Sequence, residues 1–220
     1  MDKIENKDIC RECGGYCCKK SGCDYFVNDF ENMNINYLNS ILQQGRVSIV
    51  AALDFKRLPN DKLVGIPVLY LRARNIDRGE VDLLSFKTTC ASLEKDGCHY
   101  DLEHRPSGGA SLIPLQNHRC YSKVDRLAEL RKWIPYQNIL QRLVKRYTGM
   151  SVDSKLRSDA ENLFYDVLTE NFDGIDKAEI LDVLNMLPNL VECYPTEYQQ
   201  AQKRTQEGLH LLVKRKWFVL

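Results

Sequence analysis

At 220 residues, with 28% charged side chains and a formal net charge of +1, the chain is long enough for one substantial core or two small ones and has an ordinary globular composition. Lys and Arg meet Asp and Glu 16 to 16 over residues 1–120 and 15 to 14 over 121–220, so neither half carries the basic footprint of a nucleic-acid or anionic-membrane partner. No run approaches the roughly 18 consecutive apolar residues of a membrane span. The polar start MDKIENKDIC offers no apolar stretch for a signal peptide, so the expectation is a cytoplasmic protein with no nucleic-acid and no membrane partner.

In chain order, ICRECGGYCCKKSGC (9–23) comes first, with five cysteines in fifteen residues. DFENMNINYLNSILQQG then reads as a helix ending at Gly45. IPVLYLRARN alternates, with Tyr70, Arg72 and Arg74 on one face and Leu69, Leu71 and Ala73 on the other. EVDLLSF follows the turn signal at Arg78-Gly79, which predicts a hairpin or small antiparallel sheet. A second cysteine segment, TTCASLEKDGCHYDLEHRP, leads to QNHRC and Cys120.

The texture then becomes helical. SKVDRLAELRKW opens with Ser122 as the expected N-cap and puts Leu127, Leu130 and Ile134 on one face. Pro135 suits the first turn of a second helix with a stripe of Ile139, Leu140, Leu143, Val144 and Tyr147, stopped by Gly149. A third helix is predicted from Asp153 (Leu156, Leu163, Phe164, Val167, Leu168), a fourth from near Asp176, and a polar fifth after Pro195. The expected fold class is α+β: a small cysteine-rich metal-binding domain with a short antiparallel sheet over 1–121, followed by a helical bundle over 122–220. The two are expected to pack together, since no Gly/Ser/Pro-rich linker parts them.

In a reducing compartment, nine cysteines argue for metal binding or redox chemistry rather than a disulfide framework. Cys10 and Cys13 have the two-residue spacing that lets both thiolates reach one ion, and Gly14-Gly15 before Cys17 supplies a permissive turn. Adjacent side chains such as Cys17 and Cys18 diverge, which suggests two neighbouring centres, or one cluster with a free thiol. With Cys23, Cys90, Cys98 and Cys120 the set reaches eight, enough for two four-thiolate sites. Cys193, alone in the helical half, reads as a small buried hydrophobe.

CRECGGYCC resembles the C-x2-C-x3-C-C signature of the YkgJ-like cysteine-cluster family, described as a zinc- or iron-chelating domain. Cys90, Leu93, Gly97, Cys98, Arg105, Pro106 and Cys120 resemble its later segment, so the resemblance covers roughly residues 9–120. It implies metal binding without implying a particular reaction. Two features depart from the pattern: Cys23 lies outside the short signature, and SGGASLIPLQNH with Arg119 separates Arg105-Pro106 from Cys120, implying an added loop near the metal.

Thiolates suit both zinc and iron–sulfur clusters. The compact second C-x2-C knuckle of zinc modules is missing, as is the ferredoxin-like run. Ligands gathered from several segments lean slightly towards iron–sulfur, such as a 4Fe–4S cluster, with zinc ions as the alternative. His99, His104 and His118 flank the distal cysteines and could orient ligands. Arg72 and Arg74, on a face that would ordinarily be solvated, and Arg105 could hold an anionic substrate. Three functions remain open: a small redox enzyme, metalloenzyme or maturation partner acting on a peptide or protein, with the loop from Ser107 to His118 closing over the metal; a zinc-stabilised module whose helical half binds a protein or peptide partner; and, last, a metal buffer or carrier.

Overall fold

The computed structural model describes residues 7–15, 18, 23–57, 63–74, 79, 81–84, 90–95, 97–100, 103–113, 115, 120–156, 158, 159 and 162. The fold is α+β, helices combined with short antiparallel sheets. Its centre is a long hairpin of β1 (Val47–Arg57) and β2 (Leu63–Ala73), in register from Val47↔Ala73 to Arg57↔Leu63. Directly opposed residues share a face. One face therefore carries Ser48, Val50, Ala52 and Asp54 with Arg72, Tyr70 and Val68, and the other carries Val47, Ile49 and Ala51 with Ala73, Leu71 and Leu69. All of these residues are buried, so both faces are covered.

The hairpin is widened by one short segment on each side. Residues 23–25 run along β2, with Tyr25 N–H donating to Leu71 O (2.9 Å) and Ala73 N–H to Cys23 O (2.8 Å). Residues 81–84 run along β1, where Ala51 N–H donates to Leu83 O (2.9 Å) and Asp82 N–H to Ser48 Oγ (3.1 Å). The expected partner of IPVLYLRARN, EVDLLSF, is thus not the strand paired with it. Val47–Arg57 takes that place, and part of EVDLLSF lies on the far side of β1. The helix expected over 29–45 is also shorter: α1 (Lys7–Cys13) is followed by a 3-10 turn (Val27–Asp29) and then α2 (Ile35–Leu42). Asn34 caps α2, its side chain accepting from Tyr37 N–H at 2.9 Å, and that cap sets the later start.

Two two-residue ladders finish the cysteine-bearing half. β3 (Leu93–Glu94) pairs with β4 (Gly97–Cys98), and β5 (Leu112–Ile113), just after the short helix α3 (Ser107–Ala110), pairs with β6 (Tyr121–Ser122). Ser122 therefore belongs to a strand. The N-cap of α4 (Arg126–Arg131) is Asp125, which accepts from Leu127 N–H (3.0 Å) and Ala128 N–H (3.2 Å). After α4 a 3-10 turn (Ile134–Tyr136) holding Pro135 shifts the register, so Trp133 is buried in the core and Ile134 is exposed.

α5 (Gln137–Thr148) follows its predicted stripe: Leu140, Leu143 and Val144 are fully buried, and Gly149 ends it at φ 70°. Residues 152–156 are helical, with Leu156 buried. The helices expected beyond Leu163 lie outside the described residues. The core joins Leu38 and Leu42 of α2, both strands of the hairpin, Leu83, Leu130, Trp133 and the buried stripe of α5. Among the described residues no helix is long and apolar enough to cross a membrane.

Candidate metal centre

Two backbone bonds bring distant thiols together. Cys23 is fixed by its ladder bond to Ala73, while Cys18 O accepts from Cys90 N–H at 2.8 Å. These bonds gather Cys18, Cys23 and Cys90 into one buried cluster around Ala73, edged by Tyr25 and Leu93. The Cys90 thiol accepts hydrogen bonds from those of Cys18 and Cys23. Together with N–H groups nearby, at Ser92 and Cys23, they outweigh the opposing effect of burial and hold Cys90 well below the ordinary thiol value. The three sulfurs therefore lie within hydrogen-bonding reach of one another.

Two glycines make the approach feasible. At Gly15 the backbone is left-handed (φ 74°), which favours glycine, and a Cβ would come within 2.4 Å of Leu93 Cδ1, so the chain leaving α1 passes close against the Leu93 side chain. At Gly109, in α3, a Cβ would stand 2.5 Å from Cys23 Sγ. Part of the RPSGGAS loop thus lies directly on the thiol cluster.

A second set is half-buried. Cys10 and Cys13 sit one turn apart on α1, and α1 packs against β4, the strand carrying Cys98. Burial raises the Cys98 thiol, opposed by Tyr100 N–H and the Arg105 side chain, both hydrogen-bonded to it. Arg105 also donates from Nε to Tyr100 O at 3.0 Å. Cys120 is half-buried immediately before β6. His99 is exposed, with Nδ1 2.7 Å from Glu94 Oε1, and His104 is exposed. Cys17, His118 and Cys193 lie outside the described residues. No group of three or more Cys, His, Asp or Glu side chains among the described residues has the geometry of a ready metal-ligand set, although three of the expected thiols touch.

Arg72 and Arg74 do not form a solvated face. Both are buried, and Arg72 Nε donates to Asp24 Oδ1 at 2.6 Å. Arg126 of α4 takes the other oxygen, Nε to Oδ2 at 2.7 Å. The Tyr70 hydroxyl accepts from both guanidiniums, from Arg126 Nη2 at 3.3 Å. Burial pushes the Asp24 carboxyl up, but Arg126 and Arg72 outweigh it and hold it below the usual carboxylate value. Arg74, buried beside Arg72, is pulled down to about 10. Neither Asp24 nor Arg126 is marked out by spacing. The available signal is the acid in CDYF, a charge inside an apolar and aromatic run that has to find a counter-ion if it is buried.

No protein-family model matches the chain, and neither a curated protein nor a solved structure matches it.

Proposed function

We propose that the protein holds one or two thiolate-ligated metal centres. Cys18, Cys23 and Cys90 are the inner ligands, and Cys10, Cys13 and Cys98, with Cys17 and Cys120, supply the rest. The observation that carries this is the convergence of three buried thiols from separate segments, in a chain with nine cysteines. The donor set fits a soft or borderline cation: sulfur only, dry, and with one thiol already inclined to ionise. Metal uptake replaces the S–H···S contacts by thiolate–metal bonds and releases protons.

The preferred centre is an iron–sulfur cluster, because the thiols are gathered from several segments rather than from two compact knuckles, and the protein then works as a small redox or metalloenzyme, or as a maturation partner on a peptide or protein. Such a cluster supplies one-electron chemistry. The chain's own contribution is to keep water from the inner sulfurs through Ala73, Tyr25, Leu93 and the Gly108–Gly109 backbone. That same burial favours a second reading, a structural zinc ion that ties the edge segment to the hairpin while the helical half receives a partner.

Anaerobic purification, a visible spectrum and assays for iron, zinc and acid-labile sulfide test the proposal. Iron and sulfide in matching amounts with a brown chromophore support the first reading, and a colourless zinc protein the second. Replacing Cys18, Cys23 or Cys90 singly by Ala is expected to lose the metal. Stoichiometric metal retained in all three variants rejects this ligand assignment.

A further inference from the structure

The segment carrying Cys23 is held from two sides. Its backbone is hydrogen-bonded to β2, and its side chains and carbonyls are gripped by the first helical elements after residue 122. Arg126 of α4 shares the Asp24 carboxylate with Arg72 of β2. The Trp133 indole N–H donates to Tyr25 O at 3.3 Å. The rings of Tyr25 and Phe30 lie 5.3 Å apart, and those of Phe30 and Trp133 meet edge-on at 5.7 Å. Cys23 is therefore placed by residues on both flanks of one buried ion group, and its own Sγ faces Gly109 and the other thiols.

Two guanidiniums on one buried carboxylate form a set that is costly to dismantle singly, because losing one partner leaves charge imperfectly compensated away from water. The set therefore favours two conditions of the segment, clamped or released, over intermediate ones. We propose that the Asp24–Arg72–Arg126–Tyr70 group, together with Trp133, is a positioning device that couples occupancy of the thiol centre to docking of α4 on the sheet. The inference rests on the thiolate–metal reading above. A metal held by Cys18, Cys23 and Cys90 fixes the same three-residue segment that α4 fixes from the other side. Linkage is reciprocal: α4 docking tightens the metal, metal tightens α4, and a protein or peptide that draws α4 away loosens the centre.

Cadmium on the reduced full-length chain provides the test, in a Trp217→Phe background so that Trp133 is the sole indole. Thiolate-to-cadmium charge-transfer absorbance reports the centre; Trp133 emission and amide hydrogen exchange at Leu130 and Trp133 report docking. Cadmium is expected to slow exchange at both amides. Arg126→Gln is expected to weaken cadmium binding by about tenfold, within the range of ordinary site-to-site coupling. Arg126→Lys is expected to recover part of that loss.

Lys155→Gln, which removes the buried contact to Asp159 elsewhere in the fold, is expected to leave cadmium affinity unchanged, which separates positioning from general destabilisation. Unchanged affinity in Arg126→Gln, or α4 exchange indifferent to cadmium in the parent protein, overturns the coupling alone. A parent protein with no charge-transfer absorbance overturns the metal reading and the coupling with it. Should Arg126→Gln fail to fold, the exchange measurement on the parent decides.

Discussion

At the scale of single residues, the thiol cluster depends on what is missing from Gly109 as much as on the sulfurs. A methyl group there would need the space of Cys23 Sγ, 2.5 Å away. Gly109→Ala is expected to destabilise the fold by about 1–3 kcal/mol, the usual cost of overpacking, read as a shift in urea midpoint. Asp24 gives a pH signature. Its folded carboxyl lies below its ordinary value because Arg126 and Arg72 overcome the effect of burial. The stability from this pairing is therefore complete above the unfolded value of about 3.9 and is lost as pH falls through the lower folded value. Urea midpoints measured from pH 7 downward should fall in this acid range, and Asp24→Asn should flatten that part of the curve while costing about 3–5 kcal/mol at neutral pH.

Residue chemistry was legible in part. Chelating spacing marks Cys10, Cys13 and Cys17 rather than the buried trio of Cys18, Cys23 and Cys90, and nothing local announces that Arg72 is buried. Its counter-ion is 48 positions away in the chain, and a single sequence carries no sign of such pairings.

At the scale of elements, capping decides several boundaries. Asp125 accepts two of the first N–H groups of α4, so Asp125→Ala is expected to cost about 1 kcal/mol. Ser122→Ala should cost less, because the Ser122 hydroxyl has only long bonds, 3.3 Å to Val124 and to Ser111. Chemical denaturation of the two variants side by side checks the assignment. A serine three positions before an acid imitates a capping box, which points to Ser122 as the cap. The tertiary ladder to Leu112 claims that serine for a strand instead.

β1 escaped notice for a related reason. VSIVAA is buried on both faces, so it lacks the apolar–polar alternation that reveals a half-exposed strand. α5, by contrast, has one solvated face and follows its stripe closely.

At the scale of the molecule, one apolar core draws on both sides of residue 121, with Trp133 at a junction between sheet, aromatic stack and helices. Trp133→Ala is expected to cost about 3–5 kcal/mol, the range for large aromatic truncations in a core. That is a large share of the roughly 5–15 kcal/mol available to a typical domain, so thermal melting should fall steeply or become non-cooperative. The α+β class was legible because strand and helix periods occupy different stretches of the chain. The order of the sheet rows was not, because edge assignments depend on long-range backbone bonds.

The row that carries Cys23 also has a consequence for solubility. β2 would otherwise present an open margin of backbone donors and acceptors. Residues 23–25 cover Leu71 and Ala73, and the Gln137 side chain bonds both Leu69 N–H and Leu69 O at 2.8 Å. An uncovered strand margin is a template for pairing with another chain. Loss of order around the thiols is then expected to do more than silence a centre: it unmasks a sticky edge, and the protein should self-associate through β2 in proportion to its concentration. Light scattering during chelator treatment would reveal this.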